Sequence, residues 1–130
     1  RISSSSMSPE LEVGDVIISK KVAPETIRSG DIITYNGEYG SYSGKLITHK
    51  VIAEPYEAGG TLYFSTMGIA NDYVDPEISQ EQIVGKMICN SDFLSTVYAF
   101  FITPFGLVSV LCILGLLLVN ELFALKKIKT

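Results

Sequence analysis

The chain has 130 residues, 47% of them hydrophobic, and a formal net charge of −4, enough for one modest domain and little more. Its first 92 residues hold seven Lys and Arg against thirteen Asp and Glu, which argues against nucleic-acid binding, since phosphate contacts need a cationic surface. Of the two cysteines, Cys112 lies in an apolar run and Cys89 is alone in the polar part, so no disulfide within that part is expected; with one histidine, too few ligands remain for zinc, and no metal or cofactor is expected.

The chain starts at Arg1 without a methionine, directly at a run of four serines, which fits a fragment whose upstream part has been removed. A serine run is ordinarily a flexible linker. Beyond it, runs rich in β-branched and aromatic residues between turn signals predict strands at 16–19, 31–35, 45–53, 61–66 and 83–88, hence a mainly β domain over residues 1–92. Gly14-Asp15 and Gly30-Asp31 each introduce one of these strands. Residues 36–44 (NGEYGSYSG) predict a hairpin loop with Asn36-Gly37 as its sharpest turn, 24–28 a single helical turn, and 57–60 an exposed turn.

From Phe93 to Asn120 no residue is charged. Residues 93–103 are apolar enough for an interfacial segment, and 104–123 supply the roughly 20 residues that a helix needs to cross a bilayer. A domain this small cannot wrap an all-round apolar helix of that length, so one transmembrane helix is expected. Pro104 suits its first turn, and the basic tail 124–130 (ALKKIKT) places that end in the cytoplasm. The β domain is then extracytoplasmic, in a cell membrane or on the lumenal side of an endoplasmic-reticulum-type membrane.

His49, in KLITHKVIA, alternates onto one strand face with Ile47 and Val51. An imidazole between aliphatic neighbours is either a buried structural group or a base. A serine hydroxyl is a weak nucleophile until a neighbouring base takes its proton, and a carboxylate then holds the ring in the right tautomer. Asp72 and Asp75, in MGIANDYVDPE, are candidates for that carboxylate and equally turn formers. Met7, Leu11 and Val13 either line a peptide site, dip toward lipid or belong to the core.

In order and spacing, S-x-S-M-x-P at 4–9, E-V-G-D-V-I at 12–17, G-D-I-I-T-Y at 30–35, T-H-K-V at 48–51, G-x-x-N-D-x-x-D at 68–75 and I-V-G-K at 83–86 resemble signal peptidase I. A histidine where the common bacterial enzymes carry lysine makes the chain similar to the archaeal, endoplasmic-reticulum and Gram-positive sporulation type. The resemblance implies a mainly β, signal-peptidase-like fold, shared with self-cleaving repressors, followed by a C-terminal transmembrane helix. It implies Ser6 as nucleophile, His49 as general base, Asp75 as the supporting carboxylate, and Ser4 with the Ser6 N–H as oxyanion donors. Its substrates would be secretory preproteins, cut after a small-x-small motif beside the lipid bilayer. Where the family has aspartate after Gly68 this chain has Ile69, so Asp72 is expected to take part of that role if the role is needed. Ile69 also keeps open a membrane-anchored β domain that has lost catalysis and serves as an accessory or assembly protein. A self-cleaving regulator would instead need Lys20, Lys45 or Lys50 as base and is ordinarily soluble.

Overall fold

Alternation along one central strand organises the first part of the chain. A computed structural model describes residues 1–128, which divide into two compact units, Arg1–Asp92 and the described residues from Phe93 on. In the first unit the strands are β1 (Ile17–Lys20), β2 (Ile32–Asn36), β3 (Leu46–Val51), β4 (Tyr56–Ala58), β5 (Thr61–Phe64), β6 (Thr66–Met67), β7 (Ile78–Ser79) and β8 (Ile83–Asn90). They form two antiparallel sheets, a five-stranded one in the order β1-β8-β2-β3-β6 and a three-stranded one in the order β4-β5-β7.

β2 lies between β8 and β3, and successive side chains on it point to opposite faces. Ile33 and Tyr35 enter a core with Ile27, Val51, Phe64 and Ile78, the last two contributed by the small sheet. Ile32 enters a second core with Ile2, Met7 and Leu11 from the N-terminal segment. The large sheet is therefore covered on both faces, which is why β2 is apolar without interruption at Ile32-Ile33. Each fully buried aliphatic or aromatic side chain contributes roughly 1.5–3 kcal/mol by leaving water. Met7 and Leu11 are core residues, whereas Val13 is exposed.

Several sequence expectations are corrected. Asn36-Gly37 is no two-residue turn: the Gly37 N–H continues the ladder to Lys45 O at 2.8 Å, and the chain reverses through a 3-10 turn at Gly40–Tyr42. Gly37 is needed for another reason, since a Cβ there would lie 2.3 Å from the Tyr42 carbonyl oxygen. The run 61–66 breaks at Ser65, where the chain leaves the small sheet for the large one. Residues 57–60 are not only a turn: Glu57 and Ala58 belong to β4, paired with β5 across Gly59-Gly60, both at positive φ. The two-residue β7 left no periodicity to detect.

The second unit is helical, with α1 (Asp92–Phe101), whose first residue closes the first unit, and α2 (Pro104–Ile128). Thr103 caps α2, its Oγ1 accepting from Gly106 N–H at 3.1 Å, and Pro104 fills the first helical position, where no N–H is required. Within α2, Pro104–Glu121 has a mean hydropathy of 1.9 and is long and apolar enough to cross a membrane. The basic tail expected at 124–130 lies outside the residues whose side chains are described.

Candidate active site

Ser6 sits in a segment tied down at both ends. Ile2 N–H donates to Asp15 O at 2.8 Å, Gly14 N–H to Ile2 O at 2.9 Å, and Leu11 N–H to Met7 O at 3.0 Å. With the Met7 and Leu11 side chains buried beneath, neighbouring Ser6 turns toward the edge of the sheet. Its carbonyl accepts from Ala70 N–H at 2.9 Å, which joins this segment to the loop after β6. At the contact stands Gly68: a Cβ there would lie 2.7 Å from Ser6 O and 2.9 Å from His49 Nε2. The missing side chain is what lets serine and imidazole meet.

His49 lies on β3, opposite Ile33 of β2, and is almost fully buried. Its Nε2 is 3.0 Å from Ser6 Oγ, and its Nδ1 is 2.5 Å from Asp75 Oδ2. With a carboxylate on the far side, Nδ1 carries the proton and donates it, leaving Nε2 to accept from the serine O–H. Asp75 is held by the sheet switch at Ser65: Thr66, the next residue, pairs with Val51, and its carbonyl accepts from Asp75 N–H at 2.9 Å. Thr66 Oγ1 then donates to Asp75 Oδ2 at 2.8 Å and Tyr35 OH to the same oxygen at 3.1 Å, while Tyr42 OH donates to Oδ1 at 3.1 Å. The Tyr42 ring also meets the His49 ring edge-on, with centroids 6.0 Å apart.

Burial alone would raise the Asp75 pKa, but the hydrogen bonds from His49, Thr66 and Tyr35, with the attraction of the imidazole, outweigh it and hold the carboxyl below its ordinary value. Burial first pushes Tyr35 and Tyr42 well above the ordinary phenol value, helped in Tyr35 by the neighbouring carboxylate and in Tyr42 by its hydrogen bond to Tyr73 and then by that carboxylate, so both stay protonated as donors. No buried side-chain nitrogen or oxygen among the described residues lacks a partner.

Ser4 Oγ lies 3.2 Å from Ser6 Oγ. Beside the pair opens a cleft of about 620 Å³, lined by residues that include Ser4, Ser6, Tyr42, Leu46, Ile47 and His49. Asp72 is exposed and makes no hydrogen bond to the three residues; hydroxyls from Thr66, Tyr35 and Tyr42 hold Asp75 instead. Ile69 packs with Ile2, Met7 and Leu11 under the Ser6 segment. Of the lysines considered as bases, Lys50 pairs with Glu10 at 2.9 Å and Lys45 lines the cleft, while the ring of His49 is the base within reach of Ser6.

Sequence reasoning missed Thr66, Tyr35, Tyr42 and the spatial need for Gly68. One signal was available: Tyr35 occupies the same inward register as Ile33, and a buried phenol needs an acceptor. No family model, curated protein or solved structure matches the chain significantly.

Proposed function

We propose that this chain is a membrane-anchored serine endopeptidase of the histidine-type signal peptidase I kind, cutting secretory preproteins after a small-x-small motif. The observation that carries the reading is the hydrogen-bonded line from Ser6 Oγ through His49 to a buried, four-donor Asp75 at the side of an open cleft. Order and spacing of the motifs at 4–9, 48–51 and 68–75 add the family and the fold.

In this mechanism Ser6 attacks the carbonyl carbon after the small residue as its proton passes to His49 Nε2. The charge that gathers on the carbonyl oxygen is met by the Ser6 N–H and the Ser4 hydroxyl. Asp75 keeps the ring oriented and stabilises the imidazolium. His49 then gives the proton to the leaving amine, and an acyl-enzyme on Ser6 remains. Water activated by His49 releases the acyl group and restores the serine. Ile69 serves packing under the nucleophile where the family has a carboxylate, and the Asp75 network is complete without that carboxylate.

α2 is the anchor, with its basic end cytoplasmic and the β unit on the opposite side. α1 lies at the membrane surface, because helical spacing gathers Phe93, Val97, Phe100 and Phe101 on one face, opposite Ser95. Anchoring confines the site near a precursor whose apolar segment is still in the bilayer and raises its effective concentration.

The test is reconstitution of the full chain in liposomes with a signal-bearing precursor, together with labelling by a serine-reactive acylating inhibitor. Cleavage and labelling are expected in the parent, with cleavage reduced about 10⁴- to 10⁶-fold in Ser6→Ala and in His49→Ala. Full activity of His49→Ala would remove the mechanism, and absence of both labelling and cleavage in the parent would favour the non-catalytic accessory reading.

A further inference from the structure

The 1–92 unit is acidic, with thirteen carboxylate side chains against seven cations, yet the cleft beside Ser6 has the opposite sign. Among its lining residues are Arg1 and Lys45, and no Asp or Glu. Two other cations of the unit are spent on internal pairs, Lys50 with Glu10 at 2.9 Å and Lys86 with Asp31 at 2.7 Å. Lys45 is exposed and has no carboxylate partner among the described residues. Arg1 is oriented by Gly14, whose carbonyl accepts from its Nε at 3.4 Å.

Lys45 is also fixed in position relative to the reacting atoms. It immediately precedes β3, four residues before His49, and its carbonyl is held by Gly37 N–H. At about 3.3 Å per residue, four residues of strand separate the ammonium-bearing position from the imidazole by about 13 Å. On the far side from β2, β3 is paired with β6 only at Lys50 and Val51, so the stretch between Lys45 and His49 borders the cleft rather than another strand. An extended peptide with its reacting carbonyl at Ser6 covers the same distance in about four residues.

We propose that this cleft recognises an acidic side chain on the substrate, three to five residues from the scissile bond, through Lys45. The assignment rests on the peptidase reading and adds to it a selectivity for acidic peptides. The small residue at the cut sets where Ser6 attacks, and the carboxylate sets which peptides dwell in the cleft. An exposed ion pair of this kind contributes a factor of about two to five, screened by salt.

The experiment uses the full chain in neutral detergent micelles and 12-residue labelled peptides with one small-x-small site. Each peptide carries a single Asp or Asn at three, four or five residues to one side of the cut. In the parent, kcat/KM is expected to favour Asp about two- to fivefold at one or more of these places, with the preference levelled in Lys45→Gln and reversed in Lys45→Glu. A second measurement does not depend on turnover: fluorescence anisotropy of the same peptides on Ser6→Ala, with and without Lys45→Glu. The same preference for Asp is expected in Ser6→Ala and its loss in the double variant. Equal binding of Asp and Asn peptides at every position, or a preference unchanged by Lys45→Glu, overturns the proposal even if Ser6-dependent cleavage is observed. Charge-selective binding that needs Lys45, with no cleavage of any peptide by the parent, upholds the recognition site and overturns the peptidase reading.

Discussion

The two units of this chain meet the same physical rule in opposite ways. In Arg1–Asp92 apolar side chains from the strands and the N-terminal segment fill two cores, and the polar groups buried among them, His49, Thr66, Asp75 and Gln82, are all hydrogen-bonded. In the other unit no charged residue occurs between Phe93 and Asn120, and the apolar side chains of α2 stay outside, Phe105 at 82% and Leu116 at 71% exposure. A polar group taken out of water costs about 1–3 kcal/mol unless it is paired. The first unit therefore pairs each buried polar group, Gln82 with Ser79 and Asn36, and His49 and Thr66 with Asp75. The second avoids the penalty by carrying no charge from Phe93 to Asn120, and its Pro104–Glu121 stretch is long and apolar enough to cross a membrane.

The contrast can be broken most severely at Asp75. Asp75→Asn keeps the shape but presents an amide where the ring N–H needs an acceptor, and activity on a precursor is expected to fall about ten-thousand-fold. Single-turnover acylation measures it, and a loss below tenfold would mean that the carboxylate does not set the tautomer. In the other unit the matching insult is a charge: Leu114→Arg in the middle of α2 is expected to weaken insertion by about 2.5–3.5 kcal/mol. Alkaline extraction of membranes reads that out, while inhibitor labelling of Ser6 in detergent is expected to stay unchanged.

Acid gives a third comparison. Because the folded-state pKa of Asp75 lies below its unfolded value, the carboxylate contributes stability that is present above the ordinary carboxylate range and is lost as pH falls through the folded value. Between pH 5 and pH 3 the melting temperature of the parent is therefore expected to drop more than that of Asp75→Asn. Asp31, whose burial penalty is outweighed by its bond to Lys86 and by Arg28, supplies a similar acid loss in both proteins, so the difference between the two curves reports Asp75. The smallest effect is expected from Tyr42→Phe, which removes one donor to Asp75 Oδ1 and keeps the ring against His49. About a tenfold loss of kcat follows from one hydrogen bond to a charged carboxylate of about 1.5 kcal/mol, with binding of peptide unchanged. A larger fall in binding than in kcat would mean that Tyr42 acts through the cleft it lines and not through Asp75 and His49.

The sequence by itself determined the period-two strands around Ile33 and His49, the apolar run after Pro104, and a serine, a histidine and two aspartates of the types that the proposed mechanism uses, because alternation, hydropathy and side-chain chemistry are local properties. Turns were less legible: Asn36-Gly37 has the composition of a tight reversal, but packing against Tyr42 decided its use. The two aspartates of MGIANDYVDPE are equivalent in sequence and unlike in the fold, Asp72 in water and Asp75 behind Thr66, Tyr35 and Tyr42. Only the tertiary structure chose between them, because burial and hydrogen-bond partners come from residues up to 40 positions away, which no local pattern records.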